Sequence, residues 1–125
     1  MGVVQSLLRR FNTECETSDQ PADEELKTHY YKSAFDKVYR SVLDLFLTEQ
    51  FKVISDSKER GEVTIQKIGR PPLFIVVTII TVRPFETAVD FKISTDGKKL
   101  SGTYPLLKQE ALSYYEKLDG QLIRK

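Results

Sequence analysis

The sequence predicts an α+β protein: a twisted antiparallel sheet with two helices packed on one of its faces, in the order β-α-β-β-β-β-α. Three stretches carry that expectation. Residues 73–82 are apolar at eight of ten positions and rich in β-branched side chains. Residues 34–49 repeat Phe35, Val38, Val42, Leu45 and Phe46 at helical spacing. Residues 86–95 alternate strictly, with Thr87, Val89, Phe91 and Ile93 on one side and Glu86, Ala88, Asp90, Lys92 and Ser94 on the other.

The apolar run at 73–82 is too short for a membrane-crossing helix, which needs about 20 residues. Pro71-Pro72 before it and Pro84 after it mark its limits. Branched side chains fit a pleated surface better than a helix, so the run reads as one central strand about 33 Å long. Leu73, Ile75, Val77, Ile79 and Thr81 point one way; Phe74, Val76, Thr78, Ile80 and Val82 point the other. Both sets are largely apolar, and the expectation is that water is excluded from both faces.

A chain of 125 residues suits one domain with its own core. Hydrophobic residues make up 40% and charged residues 30%, the balance of a soluble globular protein. The net charge of +1 gives no strong whole-molecule attraction to nucleic acid or anionic lipid. That total conceals an asymmetry: residues 12–25 hold six acids and no base, while residues 26–125 hold 17 bases and 12 acids. Cys15 is the single cysteine, so no internal disulfide forms. Arg9 and Arg10 follow rather than precede the first apolar residues, the reverse of a secretory signal, and the expectation is a cytoplasmic protein.

In chain order, residues 1–11 set Val3, Val4, Leu7, Leu8 and Phe11 on one stripe of a short amphipathic helix. Three roles fit it: docking on its own domain, packing on a neighbouring subunit, or lying in a membrane interface with the arginines at the headgroups. Gly2 and Ser6 also match the myristoylation pattern. Residues 12–25 read as an acidic flexible linker containing a solvated Cys15, and 26–125 as the single α+β domain. Within it, 26–32 is a short strand, and Ser33 resembles an N-cap for the first long helix. Strands at 51–55 and 62–68 flank a turn in which Gly61 is able to take a positive φ. After 86–95, Asp96-Gly97 turns the chain. Pro105 opens a closing helix with Leu107, Ala111, Tyr114, Tyr115, Leu118 and Leu122 on its apolar side.

This order, with Gly61-Glu62-Val63 and the run Val-Arg-Pro-Phe-Glu-Thr-Ala-Val-Asp-Phe at 82–91, resembles a family of small uncharacterised cytosolic proteins of Gram-positive bacteria. The topology is similar to helix-grip-like domains such as those of the outer-membrane assembly lipoprotein BamC. The resemblance implies a fold over roughly 26–122. It implies no catalytic residues, and the absence of a lipid-attachment cysteine keeps an envelope role from transferring.

Catalytic constellations are scarce in the sequence. His29 is the only histidine, and no Cys-x-x-Cys, P-loop or Gly-x-Gly-x-x-Gly occurs. Glu86 and Asp90 share a strand face about 13 Å apart, beyond the separation of a glycosidase pair. No catalytic, metal or cofactor residues are therefore assigned, and an enzyme is not expected. Most of the tyrosines fall at core or amphipathic positions, which argues against a nucleic-acid platform. The function expected is a protein-interaction or assembly module, binding a protein partner or a second copy. Its candidate contact residues are Val3, Val4, Leu7, Leu8, Phe11, Ile75, Val77 and Ile79. The alternative is a small apolar ligand held between helix and sheet, if Phe35, Phe46, Phe91 and Leu118 leave room for one.

Overall fold

The computed structural model describes residues 14–95 and 103–125. The amphipathic stripe at Val3, Val4, Leu7, Leu8 and Phe11 lies outside them, as does the turn at Asp96-Gly97. Among the described residues six strands form one antiparallel sheet: β1 (Glu14–Glu16), β2 (His29–Tyr31), β3 (Phe51–Ser57), β4 (Glu62–Lys67), β5 (Leu73–Arg83) and β6 (Glu86–Ser94). Two helices, α1 (Phe35–Leu45) and α2 (Thr103–Gln121), cover one face. The α+β class and the order of the main elements match the sequence expectation.

The strands run β1-β6-β5-β4-β3, with β2 also paired to β6. β1 lies against Lys92 to Ser94 and β2 against Thr87 to Val89, so the two short strands share one edge of β6 end to end. β5 is therefore central, as its composition demands. Its inner side chains Leu73, Ile75, Val77 and Ile79 meet Val63 and Ile65 of β4 and Val89, Phe91 and Ile93 of β6. All of these belong to the buried core.

The helices close that core. α1 contributes Val38, Tyr39, Val42 and Leu45, followed by Phe46; α2 contributes Leu107, Ala111, Tyr114, Tyr115 and Leu118. Phe46 and Phe51 meet edge-on at 5.0 Å, Phe46 and Tyr114 at 5.1 Å, and Phe91 and Tyr114 at 5.4 Å. These contacts are the edge and tilted geometries that aromatic quadrupoles favour. Ser33 does not cap α1. Ala34 holds the N-cap in an extended conformation without a side-chain bond, and the Ser33 carbonyl instead accepts from Thr87 Oγ1 at 2.8 Å.

The flexible linker expected over 12–25 does not hold for its described part. Glu14, Cys15 and Glu16 pair with Ser94, Ile93 and Lys92, and the Thr17 N–H donates to the Phe91 carbonyl at 2.9 Å. A short 3-10 helix follows (Glu24–Leu26), where Asp23 Oδ1 accepts the Glu25 N–H at 3.1 Å and Leu26 is buried. Lys108 on α2 clamps this turn through Asp23 at 2.8 Å and Glu25 at 2.9 Å. Three alternating residues are too few to register as a period. Their acids face solvent while the thiol faces Ile93, so the stretch reads as polar although it completes the sheet edge.

Among the described residues, Gly61 is the glycine whose backbone freedom the fold requires. Its φ is +65°, and a Cβ there would stand 2.2 Å from the Ile79 carbonyl oxygen. The turn into β4 consequently needs glycine both for its dihedral and for its close approach to β5.

Candidate interaction surface

Along β5 the two faces differ. Ile75, Val77 and Ile79 are at most 2% exposed beneath the helices. As contact candidates they are corrected by the structure, because they form the floor of the core and no partner reaches them. On the opposite, outer face Phe74, Val76 and Thr78 are only half-buried, while Ile80 and Val82 are 51% and 45% exposed. The expectation that water is excluded from both faces fails there. The reason lies in the neighbouring strands. β4 places Glu62, Thr64 and Gln66 beside Thr78, Val76 and Phe74, and β6 places Lys92, Asp90 and Ala88 beside Val76, Thr78 and Ile80. The outer face thus carries a single apolar stripe, one strand wide, between largely polar rows.

The stripe ends on a projecting ribbon. β4 has six residues against eleven in β5, and the last bond between them runs from the Ile79 N–H to the Gly61 carbonyl at 2.7 Å. Beyond that point β5 pairs with β6 alone, Ile80 opposite Ala88, Thr81 opposite Thr87 and Arg83 opposite Glu86, with a register shift between Thr81 and Arg83. Pro84 and Phe85 turn the ribbon, and Phe85 is 76% exposed. Glu86 is tied to Lys125 at 2.8 Å, which anchors the base of the turn. Ile80, Val82 and Phe85 are accordingly large apolar groups on a braced strand pair. The sequence contained a signal for this that residue types alone did not reveal. Pairing 62–67 against 73–78 across a short connection leaves the rest of β5 without a β4 partner.

The titratable groups form structural nodes. Asp119 on α2 receives the Tyr31 hydroxyl at 2.8 Å, stands 3.0 Å from His29 Nδ1, and approaches Arg124 at 3.6 Å. The His29 ring stacks on Tyr115 at 3.6 Å with an 8° tilt. Burial lowers the imidazole's proton affinity, against the opposing pull of Asp119, so His29 is neutral at pH 7 and donates from Nδ1. Burial likewise pushes the Tyr31 hydroxyl far above its ordinary range, with Asp119 adding to it. Nearby, Lys32 N–H donates to the Ile123 carbonyl at 2.8 Å and Lys125 N–H to the Tyr30 carbonyl at 3.0 Å, laying the last residues along β2. His29 thus fastens β2 to α2, and its carboxylate partner is shared among three groups.

Asp90 accepts the hydroxyls of Thr17 at 2.7 Å and Thr28 at 2.6 Å, stitching β6 to the residues between β1 and β2. Glu86 and Asp90, considered as a pair from sequence, are each engaged with other groups. Cys15 is not solvated: it is 2% exposed, and burial first, then the Asp23 carboxylate, lift its pKa to about 11. Tyr31, Tyr39, Tyr114 and Tyr115 are buried, which leaves few rings for stacking on bases. Among the described residues no three His, Cys, Asp or Glu side chains converge as metal ligands would, and no helix is long and apolar enough to cross a membrane. Between helices and sheet, Phe46, Phe91, Tyr114 and Leu118 are all buried.

No family model matches this chain, and no curated protein matches it in sequence.

Proposed function

We propose that the protein is an interaction or assembly module acting in the cytoplasm, with the β5–β6 tip as its contact surface. The observation that carries this reading is the grouping of Ile80, Val82 and Phe85, 51%, 45% and 76% exposed, on a ribbon that outruns β4. Apolar groups brought together in this way lose water when a partner covers them. The core of the patch is uncharged, so two copies meeting about a two-fold axis bring no like charges face to face there. A second copy of the chain is therefore the first partner to test. A lone thiol held in its protonated form suits a reducing compartment.

Sedimentation velocity over a wide concentration range tests the proposal. The wild-type coefficient should rise with concentration, and the double variant Ile80→Ser/Phe85→Ser should remain monomeric with an unchanged circular dichroism spectrum. A wild-type chain that sediments as a monomer throughout rejects self-assembly at the tip.

A further inference from the structure

The tip has an open edge as well as exposed side chains. On the β4 side, the last bond from β5 is the one that the Ile79 N–H donates to the Gly61 carbonyl at 2.7 Å. Backbone groups alternate between the two edges of a strand. Ile80 therefore turns its own toward Ala88 of β6, and Thr81 directs its N–H and C=O back to the β4 side. β4 has ended by then, and among the described residues no strand pairs with that edge of β5 beyond Ile79. The register shift between Thr81 and Arg83 lies against β6 and leaves the edge open. The result is a notch, with residues 80–83 as its side and the turn at 58–61 as its end wall.

We propose that a second copy of the chain fills this notch with the same residues of its own β5, antiparallel about a two-fold axis, so that two sheets join edge to edge. The pairing rests on the reading of the tip as a contact between copies, and specifies how they meet.

Shape selects the occupant. Residues 80–83 are both the open edge and the strand that outruns β4, so each copy supplies the length that the other lacks. Centring the pair on Val82 sets Thr81 against the partner's Arg83 and Ile80 against the partner's Pro84. Proline has no N–H, and none is needed there because Ile80 bonds toward β6. Pro84 and Phe85 then turn the incoming chain away before it meets Gly61. A longer foreign strand would run on into that wall. Centring on Thr81 would instead drive the partner's Arg83 onto Gly61, which already stands opposite Ile79.

Side-chain chemistry agrees. Ile80, Thr81 and Val82 carry no charge. β3, the outer strand of the sheet, differs: it has Lys52 and Asp56 along it and a bulge between Val53 and Ser55, features that keep edge strands single. At the junction the two Val82 side chains meet on the outer face, each beside an Ile80, and the apolar stripe runs across both sheets. The wall of the notch holds Glu59 and Glu62 against Arg60, while Lys58 is drawn to Asp36 at 3.2 Å. The partner's Arg83 arrives there with the complementary charge. So short a contact makes a weak, concentration-dependent dimer.

Hydrogen exchange and cross-linking of the full chain test the pairing. The Thr81 amide should exchange about tenfold more slowly in concentrated than in dilute protein. In a Cys15→Ala background, Val82→Cys should link two chains when treated with oxidised glutathione, because facing Cα atoms in such a pair stand about 4.5 Å apart. Phe85→Cys should not, its two copies being roughly 20 Å apart. A dimer whose Thr81 amide stays unprotected, or which links through Phe85→Cys and not Val82→Cys, overturns the edge pairing and leaves the tip as the contact. A chain that sediments as a monomer throughout rejects both. Thr81 protection in that monomer by an added Thr-Val peptide would make a foreign strand the occupant.

Discussion

Val77 and Ile80 stand three residues apart on β5 with their side chains on opposite faces, one fully buried against the helices and the other 51% exposed. From sequence they look interchangeable, both branched and both within an apolar run, and aspartate at either position is expected to unfold the domain. The structure separates them. Val77→Asp buries a carboxylate with no partner, at a cost of about 3 kcal/mol or more. That is a large part of the roughly 5–15 kcal/mol that holds a domain together. Ile80→Asp puts the same charge into water and should cost below about 1 kcal/mol, chiefly lost strand preference. Urea denaturation of the two variants checks this. Equal loss in both would mean that the outer face is as dry as the inner one.

Cys15 supports a second prediction. With its pKa near 11, roughly a thousandth of the native thiol is ionised at pH 8. A solvated cysteine near 8.5 would be about a quarter ionised at that pH. Native protein should react with a thiol reagent at least about 100-fold more slowly than protein unfolded in denaturant, since only the thiolate attacks. Equal rates in the two states would return Cys15 to a solvent-exposed stretch and remove β1 from the sheet.

The strength of each periodic pattern decided what could be read in advance. α1 and α2 have stripes long enough to fix both their existence and their buried sides. Thr87, Val89, Phe91 and Ile93 of β6 lie inside as their alternation requires. β5 is the central strand that its apolar run predicts, but its two apolar sides carry no label saying which the helices choose. That choice follows from the neighbours: Val63 and Ile65 face the same way as Ile75 and Val77, while Thr64 and Gln66 accompany Val76 and Phe74. Reading β4 against β5 as a pair would have sent the contact candidates to Phe74, Ile80 and Val82 instead of Ile75, Val77 and Ile79. β1 stayed hidden because three residues give no period, and its pairing depends on an edge of β6 far along the chain. Asp119 was equally hidden, since its partners His29 and Tyr31 lie about ninety residues away in sequence.

His29 supplies the last prediction, a pH dependence of stability. Its proton affinity in the folded chain is below the ordinary histidine value of 6.5, because burial beside Tyr115 outweighs the pull of Asp119. Below pH 6.5 the unfolded chain therefore binds a proton that the folded chain resists, and stability must fall as the solution is acidified. Above 6.5 both states are neutral at this group and its contribution is constant. His29→Asn keeps an N–H donor for Asp119 but cannot titrate, so its unfolding free energy should be flatter than wild type between about pH 6.5 and 5, ahead of the carboxylates. Denaturant midpoints across that window, wild type against variant, decide the sign. Wild-type protein that grows more stable on acidification would show that the Asp119 carboxylate dominates and that His29 and Asp119 form a true ion pair in the folded chain.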